Sequence, residues 1–425
     1  MLAHVDGKNF YASCHCIFQP ELEGKPLLVL SNRDGNVVAR SDAAKALGIK
    51  MAQPFLETTA LREQHDIAVF SSNYELYGDI SSRLMSILTQ FAPDVEVYSI
   101  DEAFLQLEDY TGPYPTYSGL GGAIRQTVRQ WLRLPVGVGI APTKTLAKVA
   151  NKLAKGRLDG VCVLDTAQAI SEALEAFPIE DLWGVGGRSA GKLKQHGIKT
   201  AAHLRDVPDD WIRQLMTVNG VRLVHELRGF PCKLLEVNPP AKKSICCAPS
   251  FGKLVPDLDT ITDALTTHLS RAGEKLRKQH SLCGAITVSL HTNRFRRTPI
   301  NGLPAKQYNN SITVSLPHPT SATPDLLKYA VSALQAIFAC GYAYQKVGVI
   351  LTDLVSADYR QKGVFVEGPN EKLLTLLGVV DQLNRRYGQD KLRLASQRYN
   401  PDWPMKPQYL SKRYTTRWEE ILTVS

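Results

Sequence analysis

The sequence predicts an α+β chain of more than one domain, and three observations carry that expectation. Short apolar strands are interleaved with amphipathic helices, without the regular strand–helix–strand alternation of a doubly wound parallel sheet, so a mixed or antiparallel sheet is expected. Asn238-Pro239-Pro240-Ala241-Lys242-Lys243 is proline-rich, charged and poor in apolar residues, which reads as a linker between folded parts. With 425 residues, 44% hydrophobic and 21% charged, the chain suits about two to four compact units rather than long disorder.

Taken in order, Leu2-Ala3-His4-Val5 reads as a strand running into Asp6 and an aromatic turn, Asn9 to Ser13. Leu27–Leu30 and Val37–Arg40 read as the arms of a hairpin around Asn32-Arg33-Asp34-Gly35. Ser41 or Asp42 can cap a short helix from Ala43 to Leu47, which Gly48 ends. A longer helix is expected from Tyr74 to Phe91, then a single strand from Val95 to Phe104 with Asp101 and Glu102 near its middle. A helix from Gly122 to Leu132, a small-residue strand from Val136 to Ile140 and a basic helix from Thr143 to Lys155 follow. Residues 167–235 read as mostly helical. Beyond the linker, helices near Thr260–His280 and Pro324–Ala339 and strands at Ala285–Leu290, Ser311–Ser315 and Lys346–Leu351 make a smaller α+β unit. One more helix, Asn370–Tyr387, lies in a basic tail.

Charge is unevenly placed. Residues 1–242 hold 26 basic and 27 acidic side chains, whereas 243–425 hold 24 and 14, so the whole excess of +9 sits in the C-terminal part. Such a module suits a polyanion, although a solvated basic surface has the same composition. The chain contains no run of ~18 apolar residues, which excludes a membrane-spanning helix. Asp6 and Lys8 interrupt the start, where a signal peptide needs an apolar run, so a cytoplasmic location is expected. The eight cysteines form no Cys-x-x-Cys pair, and Cys14-His15-Cys16 lacks a second ligand pair, so all read as ordinary thiols.

The most informative residues are Asp6, Asp101 and Glu102. Each carboxylate lies in an apolar, strand-like stretch, where an unpaired charge is costly. Neighbours on a strand point to opposite faces, so Asp101 and Glu102 share a surface only at an edge or crevice. Divalent cations would resolve their repulsion, and a pair of Mg²⁺ ions is the usual device for in-line phosphoryl transfer. Salt-bridged structural acids fit the spacing as well. Lys144, Lys148, Lys152 and Lys155 recur every three or four residues with no acid between them, as a phosphate track or a solvated face would. Leu182-Trp183-Gly184-Val185-Gly186-Gly187-Arg188 suits a helix–hairpin–helix whose backbone N–H groups reach a DNA phosphate, or a plain packing corner.

Four segments occur in order: Asp6-x-x-x-Phe10-Tyr11-Ala12-Ser13, Phe70-Ser71-Ser72-Asn73-Tyr74-Glu75-Leu76-Tyr77, Tyr98-Ser99-Ile100-Asp101-Glu102-Ala103-Phe104 and Pro135-Val136-Gly137-Val138-Gly139-Ile140-Ala141. Together they resemble the Y-family translesion DNA polymerases of the UmuC type, and Arg413-Tyr414-Thr415-Thr416-Arg417 is similar to the tail of such proteins. The resemblance implies a right-hand polymerase. Its palm would be 1–19 and 74–166, its fingers 20–73 and its helix–hairpin–helix thumb 167–235. A linker at 236–244, a little finger at 245–355 and a tail segment at 356–425 would follow.

The resemblance further implies that Asp6, Asp101 and Glu102 hold two Mg²⁺ ions for nucleotidyl transfer. Tyr11 would be the steric gate against ribonucleotides, with Phe10, Arg40, Lys45 and Lys155 at the nucleotide. Lys144, Lys148, Lys152, Gly184, Gly186, Arg188, Arg294, Arg296 and Arg297 would contact DNA. Implied partners are primer–template DNA, deoxynucleoside triphosphates, a UmuD′-type homodimer and a RecA filament, in error-prone synthesis across damage. Two departures stand out: Lys8 occupies a position that often holds Asn, and Gln361-Lys362-Gly363-Val364-Phe365 is a weak match to a sliding-clamp motif. A palm-fold nucleotidyl cyclase would need neither the helix–hairpin–helix nor the basic module. A catalytically silent DNA- or RecA-binding scaffold would not need the three carboxylates.

Overall fold

The computed structural model describes residues 1–32, 34–107, 113–295, 306–358 and 371–423. It divides into two units, Met1–Pro239 with Pro407–Ser425, and Pro240–Lys406.

The first unit is organised by a mixed sheet of β1 (Leu2–Gly7), β5 (Val95–Val97), β6 (Glu102–Gln106), β7 (Val136–Ala141) and β8 (Val161–Val163). Their order is β5-β6-β1-β7-β8, and only the β7–β8 pair is parallel. The two-residue period of a strand assigns the faces. Ala3, Val5, Ala103, Leu105, Val136, Val138 and Ile140 are buried in a core with α1 (Phe10–Phe18), α4 (Tyr74–Leu88) and α5 (Tyr117–Leu132). His4, Asp6, Glu102, Phe104, Gly137 and Gly139 alternate with them and share the face under α6 (Lys144–Ala154).

Helix α6 lies unusually close to this face. A Cβ on Gly139 would fall 2.1 Å from Asn151 N and 2.4 Å from Ala147 O, so the helix backbone rests directly on the strand. The Asn151 side chain then donates to His4 O at 2.9 Å and to Gly137 O at 2.7 Å. Thr143 caps the helix by accepting from Leu146 N and donating to Glu226 O.

Two local expectations change. The aromatic turn at Asn9–Ser13 is instead the start of α1, because Asn9 adopts the left-handed conformation that Asn tolerates and the helix begins at Phe10. The strand expected at Val95–Phe104 is broken into β5 and β6, which pair antiparallel about a turn at residues 98–101. Asp101 therefore sits in the turn and Glu102 opens β6, so neither carboxylate is forced into the middle of a strand.

Residues 20–73 form an insert with its own sheet, order β3-β2-β4, from β2 (Leu27–Leu30), β3 (Val37–Arg40) and β4 (Ala68–Ser71). Its core is Leu28, Leu30, Val37, Ala44, Ile49 and Phe55. Helices α2 (Asp42–Ala46) and α3 (Thr59–Gln64) complete it, with Ser41 capping α2 through Ala44 N. Helices α7 (Ala167–Ala176), α8 (Gly187–Gln195), α9 (Ala201–Arg205) and α10 (Asp209–Leu227) pack into one core with α6.

In the second unit, β9 (Ile245–Cys247), β10 (Ser250–Val255), β11 (Ser281–Thr292), β12 (Asn309–Thr320) and β13 (Tyr344–Ser356) form an antiparallel sheet. The path is β10-β13-β11-β12, with β9 also on β13. Helices α11 (Leu258–Lys278) and α12 (Thr323–Ile337) share its core. A sequence reading misses β9, which is only three residues long, and β10, where Gly252 and Lys253 interrupt the apolar pattern.

The expected basic tail is divided between the units. Its helix, α13 (Glu371–Tyr387), is held by Asp381, whose carboxylate accepts two bonds from Arg277 at 2.6 and 2.8 Å. Trp403 is buried and donates to Asp263 Oδ2 at 2.6 Å, while Arg398 N donates to the other oxygen at 2.7 Å. Residues from 407 onward pack on the first unit, where Tyr414 joins the main core. Among the described residues no helix is long and apolar enough to cross a membrane, and the eight cysteines are free.

The close approach of α6 gives a direct prediction. Gly139→Val should destabilise the chain by about 3 kcal/mol or more in urea unfolding, because helix backbone must move. Gly186→Ala is the control: no atom lies within 4 Å of its added Cβ and its φ is −78°, so a change within about 0.5 kcal/mol is expected.

Candidate active site

Asp6 and Glu102 are direct cross-strand partners on β1 and β6, and His4 lies two residues before Asp6 on the same face. Each offers one ligand atom, and the three atoms lie within 4.8 Å of one another. Two hard carboxylates beside one imidazole suit a divalent cation, so the donor set fits a metal. Asp101 stands apart from this trio. Its Oδ1 accepts from Ser99 Oγ at 2.7 Å, and its carbonyl accepts from Gly7 N at 2.9 Å. Its charge nevertheless contributes to raising the proton affinity of Asp6.

Burial pushes the Asp6 carboxyl up to about 6, against the pull of Lys155, whose Nζ lies 2.7 Å from Oδ1. Glu102 is held at about 2: burial opposes this, but His4 and Lys148 outweigh it. Lys148 Nζ is 2.6 Å from Glu102, whereas His4 is 3.6 Å away, beyond hydrogen-bond distance, so the ammonium is the stronger cause. Burial lowers His4, which keeps its imidazole neutral at pH 7.

The lysine face of α6 is not the open phosphate track that its sequence suggested. Lys144, Lys148, Lys152 and Lys155 pair with Glu96, Glu102, Asp181 and Asp6, one acid each. The counter-charges come from other elements, which is why no acid is interleaved along the helix. Lys144 is a correction to the DNA-contact set: it is buried, and its Nζ also donates to Leu234 O at 2.8 Å. Lys152 remains half exposed and Lys155 a third exposed. Lys148 is packed among the rings of Tyr98, Phe104 and Trp183, 4.4–5.8 Å from their centroids.

Tyr11 stacks on Tyr77 at 4.3 Å with 12° between the rings, and meets Tyr74 edge-on at 6.1 Å. Tyr77 is in turn fixed by a 2.8 Å hydrogen bond to the buried His15 ring, which stacks on Phe70 at 4.0 Å. Phe10 is a second correction, since only 3% of it is exposed and it belongs to the core rather than to a nucleotide surface. One residue along a helix turns the side chain by about 100°, which separates the buried Phe10 from the half-buried Tyr11.

On the insert, Lys45 Nζ binds Asn9 Oδ1 at 2.6 Å and Asp42 Oδ1 at 2.9 Å. Lys8, the residue that departs from the expected Asn, reaches the other Asp42 oxygen at 2.7 Å. Burial opposes ionisation of Asp42, but Asn9, Lys8 and Lys45 together hold its carboxyl far below the usual range. Arg40 keeps a buried Nε with no hydrogen-bond partner among the described residues.

Gly184 has φ +92°, which requires glycine, whereas Gly186 has an ordinary φ and leaves the N-terminus of α8 uncluttered. Arg188 and Arg294 are exposed, and Arg294 stacks over Phe295. Arg296, Arg297 and the clamp-like segment 361–365 lie outside the described residues.

Sequence reading missed His4, His15 and Tyr77 as members of the site. The signal for His4 was present, because a strand places residues 4 and 6 on one face. Tyr77 and His15 come from different helices and could not be paired from spacing.

Residues 5–152 match the impB/mucB/samB family, 242–364 match the C-terminal domain of that family, and 167–198 match its helix–hairpin–helix motif. Residues 375–424 match a domain of unknown function, DUF4113. Protein UmuC of Salmonella typhimurium is 41% identical over the full length of both chains, and Protein ImpB of the same organism 39% over 99% of both. DNA polymerase IV of Bacillus velezensis is 27% identical over 92% of both chains. Among solved structures, a chimera of the Y-family polymerases Dbh and Dpo4 superposes with a TM-score of 0.67 at 21% identity, covering 84% of this chain and 99% of its own. The fold is therefore that of a Y-family polymerase: palm, fingers, helix–hairpin–helix thumb and little finger.

Two predictions follow from the charge pairs. Lys144→Ala should cost about 3 kcal/mol in stability by leaving the buried Glu96 without its cation and with only the Glu236 N–H, with the salt dependence of DNA binding unchanged. Lys152→Ala should do the reverse, leaving stability intact and lowering the slope of log affinity against log salt by about one. Asp6 gives a pH signature. Its raised pKa means that stability of the metal-free chain falls as pH climbs from about 4 through about 6. Asp6→Asn should therefore raise stability at pH 8 by about 1–3 kcal/mol and abolish any stabilisation that a millimolar divalent cation gives wild type. The Glu102 contribution runs oppositely, being complete at neutral pH and lost as pH falls toward 2. Equal stability of Asp6→Asn and wild type at pH 8 would contradict the burial of this carboxylate.

Proposed function

The chain belongs to the impB/mucB/samB family, and on that premise we propose that it is a template-directed DNA polymerase performing error-prone translesion synthesis. The observation that carries the proposal is the opposed pair of Asp6 and Glu102, with His4, on a sheet face roofed by a basic helix. Asp6, Asp101 and Glu102 are assigned as holders of two Mg²⁺ ions. When bound, such ions activate the primer 3′-hydroxyl and neutralise the charge that develops on the leaving pyrophosphate.

The rest of the work falls to the chain's own residues. In the cation-free protein Lys148 compensates Glu102 fully, whereas Lys155 offsets the burial of Asp6 only in part. Lys45, Arg40 and Lys155 supply positive charge for a triphosphate. Tyr11, locked against Tyr77, presents a fixed ring that excludes a ribose 2′-hydroxyl. The open N-terminus of α8 and Arg188 suit a sequence-independent phosphate contact. The basic second unit suits a salt-sensitive grip on primer–template DNA. We place the protein in the cytoplasm, where a UmuD′-type homodimer and a RecA filament are the proposed partners.

The test is primer extension across an abasic template with Mg²⁺, a UmuD′-type partner and RecA–single-stranded DNA. Wild type should extend past the lesion, and Asp101→Ala, Glu102→Ala should lose at least about 10³-fold in rate. Equal extension by the double variant would overturn the metal assignment. No extension by wild type with DNA binding intact would favour a silent scaffold. Tyr11→Ala should raise incorporation of ribonucleotides relative to deoxyribonucleotides by about tenfold or more.

A further inference from the structure

The C-terminal segment, whose family match has no assigned function, docks where the fingers join the palm. The fingers are an insert: the chain leaves the palm after α1, at Gln19–Pro20, and returns at Ser72–Asn73 before α4. Residues 407–423 bind both crossings. At the return, Ser71 N donates to Tyr409 O at 2.9 Å and Tyr409 N donates to Ser71 Oγ at 3.0 Å. The Asn73 amide donates to Ser411 Oγ at 3.0 Å and to Lys412 O at 3.2 Å, while its Oδ1 caps α4 through Leu76 N. At the departure, Gln19 Nε2 donates to the Tyr414 hydroxyl at 2.8 Å, and the Tyr414 ring stacks on Phe18 at 4.6 Å and 9°.

The same segment grips each body beyond the crossings. On the fingers, one Asp34 oxygen accepts from Gln408 N at 2.8 Å and the other from Ser71 Oγ at 2.6 Å, with Tyr409 edge-on to Phe55. On the palm, Arg413 pairs with Glu75 of α4 at 2.8 Å. Glu420 accepts from Arg413 N, which closes residues 413–420 into a compact loop. Tyr414 is only 8% exposed and belongs to the main core, so its ring anchors a loop whose residues 416–419 face solvent.

We propose that residues 407–423 are an intramolecular clamp that fixes the fingers on the palm and thereby sets nucleotide affinity at the site between Lys45 and Asp6. Relative movement of the two bodies must pivot at residues 19–20 and 72–73, and both pivots are hydrogen-bonded to one segment. The link to nucleotide affinity rests on the polymerase reading; the clamp itself does not.

The experiment is amide hydrogen exchange on the full-length chain, comparing wild type with Tyr414→Ala and with Asn73→Ser, which keeps a helix-capping oxygen but loses the two donors. Protection at 19–25 and 71–76 should fall by about tenfold or more, together with that of 407–423. The Michaelis constant for a deoxynucleotide should rise about threefold or more, with DNA affinity unchanged within about twofold. Exchange-open 407–423 beside fully protected pivots would overturn the clamp. Loosened pivots with an unchanged Michaelis constant would overturn its link to the nucleotide and leave the polymerase assignment standing. If both variants fail to fold, wild type decides: in sub-denaturing urea the segment and the pivots should open as one unit, and separate opening would refute the proposal.

Discussion

The contact on which the candidate site depends is that of α6 with the glycine strand beneath it. With no side chain at residue 139, the helix backbone settles onto β7, and the lysines of one helical face come within reach of the sheet. Everything electrostatic about the site follows from that distance. Lys148 and Lys155 meet Glu102 and Asp6 at 2.6–2.7 Å, and Asn151 ties the helix to the carbonyls of His4 and Gly137. A bulkier residue on the strand would lift the helix and leave two carboxylates facing each other without counter-charge.

The two carboxylates respond to one environment in opposite senses. Burial acts on both, yet Asp6 ends above its ordinary pKa and Glu102 below, because the ionic partners of Glu102 outweigh its desolvation. The result is a site already charge-compensated without cations, whose lysines stand at the edge of a cavity lined by His4, Asp6, Glu102, Lys152 and Trp183. Such a site stores less repulsion than a bare carboxylate cluster, and its structure is kept by residues that also suit phosphate.

A different economy governs the C-terminal part. One long tail serves both units: its helix joins the second unit through the half-buried pair of Asp381 with Arg277, its Trp403 satisfies the buried Asp263, and its last residues complete the first. Buried carboxylates need donors, and here the donors come from sequence positions more than 100 residues away. A chain truncated before this region would leave Asp263 of the second unit buried without its Trp403 and Arg398 donors.

By itself the sequence determined the fold class and most of the helices and strands, and it singled out Asp6 and Glu102, which meet across β1 and β6. These are legible because they are local: alternating apolar residues, caps such as Ser41 and Thr143, and short ordered motifs each act within a few residues of chain. The tertiary structure alone decided what the lysines of α6 face, that Phe10 is core while Tyr11 is presented, that Asp101 sits in a turn, and where the tail docks. Each of these is set by groups brought together from distant parts of the chain, as with Lys144 and Glu96, Tyr11 and Tyr77, or Tyr414 and Phe18. Periodicity along one element states which residues share a face, but only packing supplies the partner on the other side.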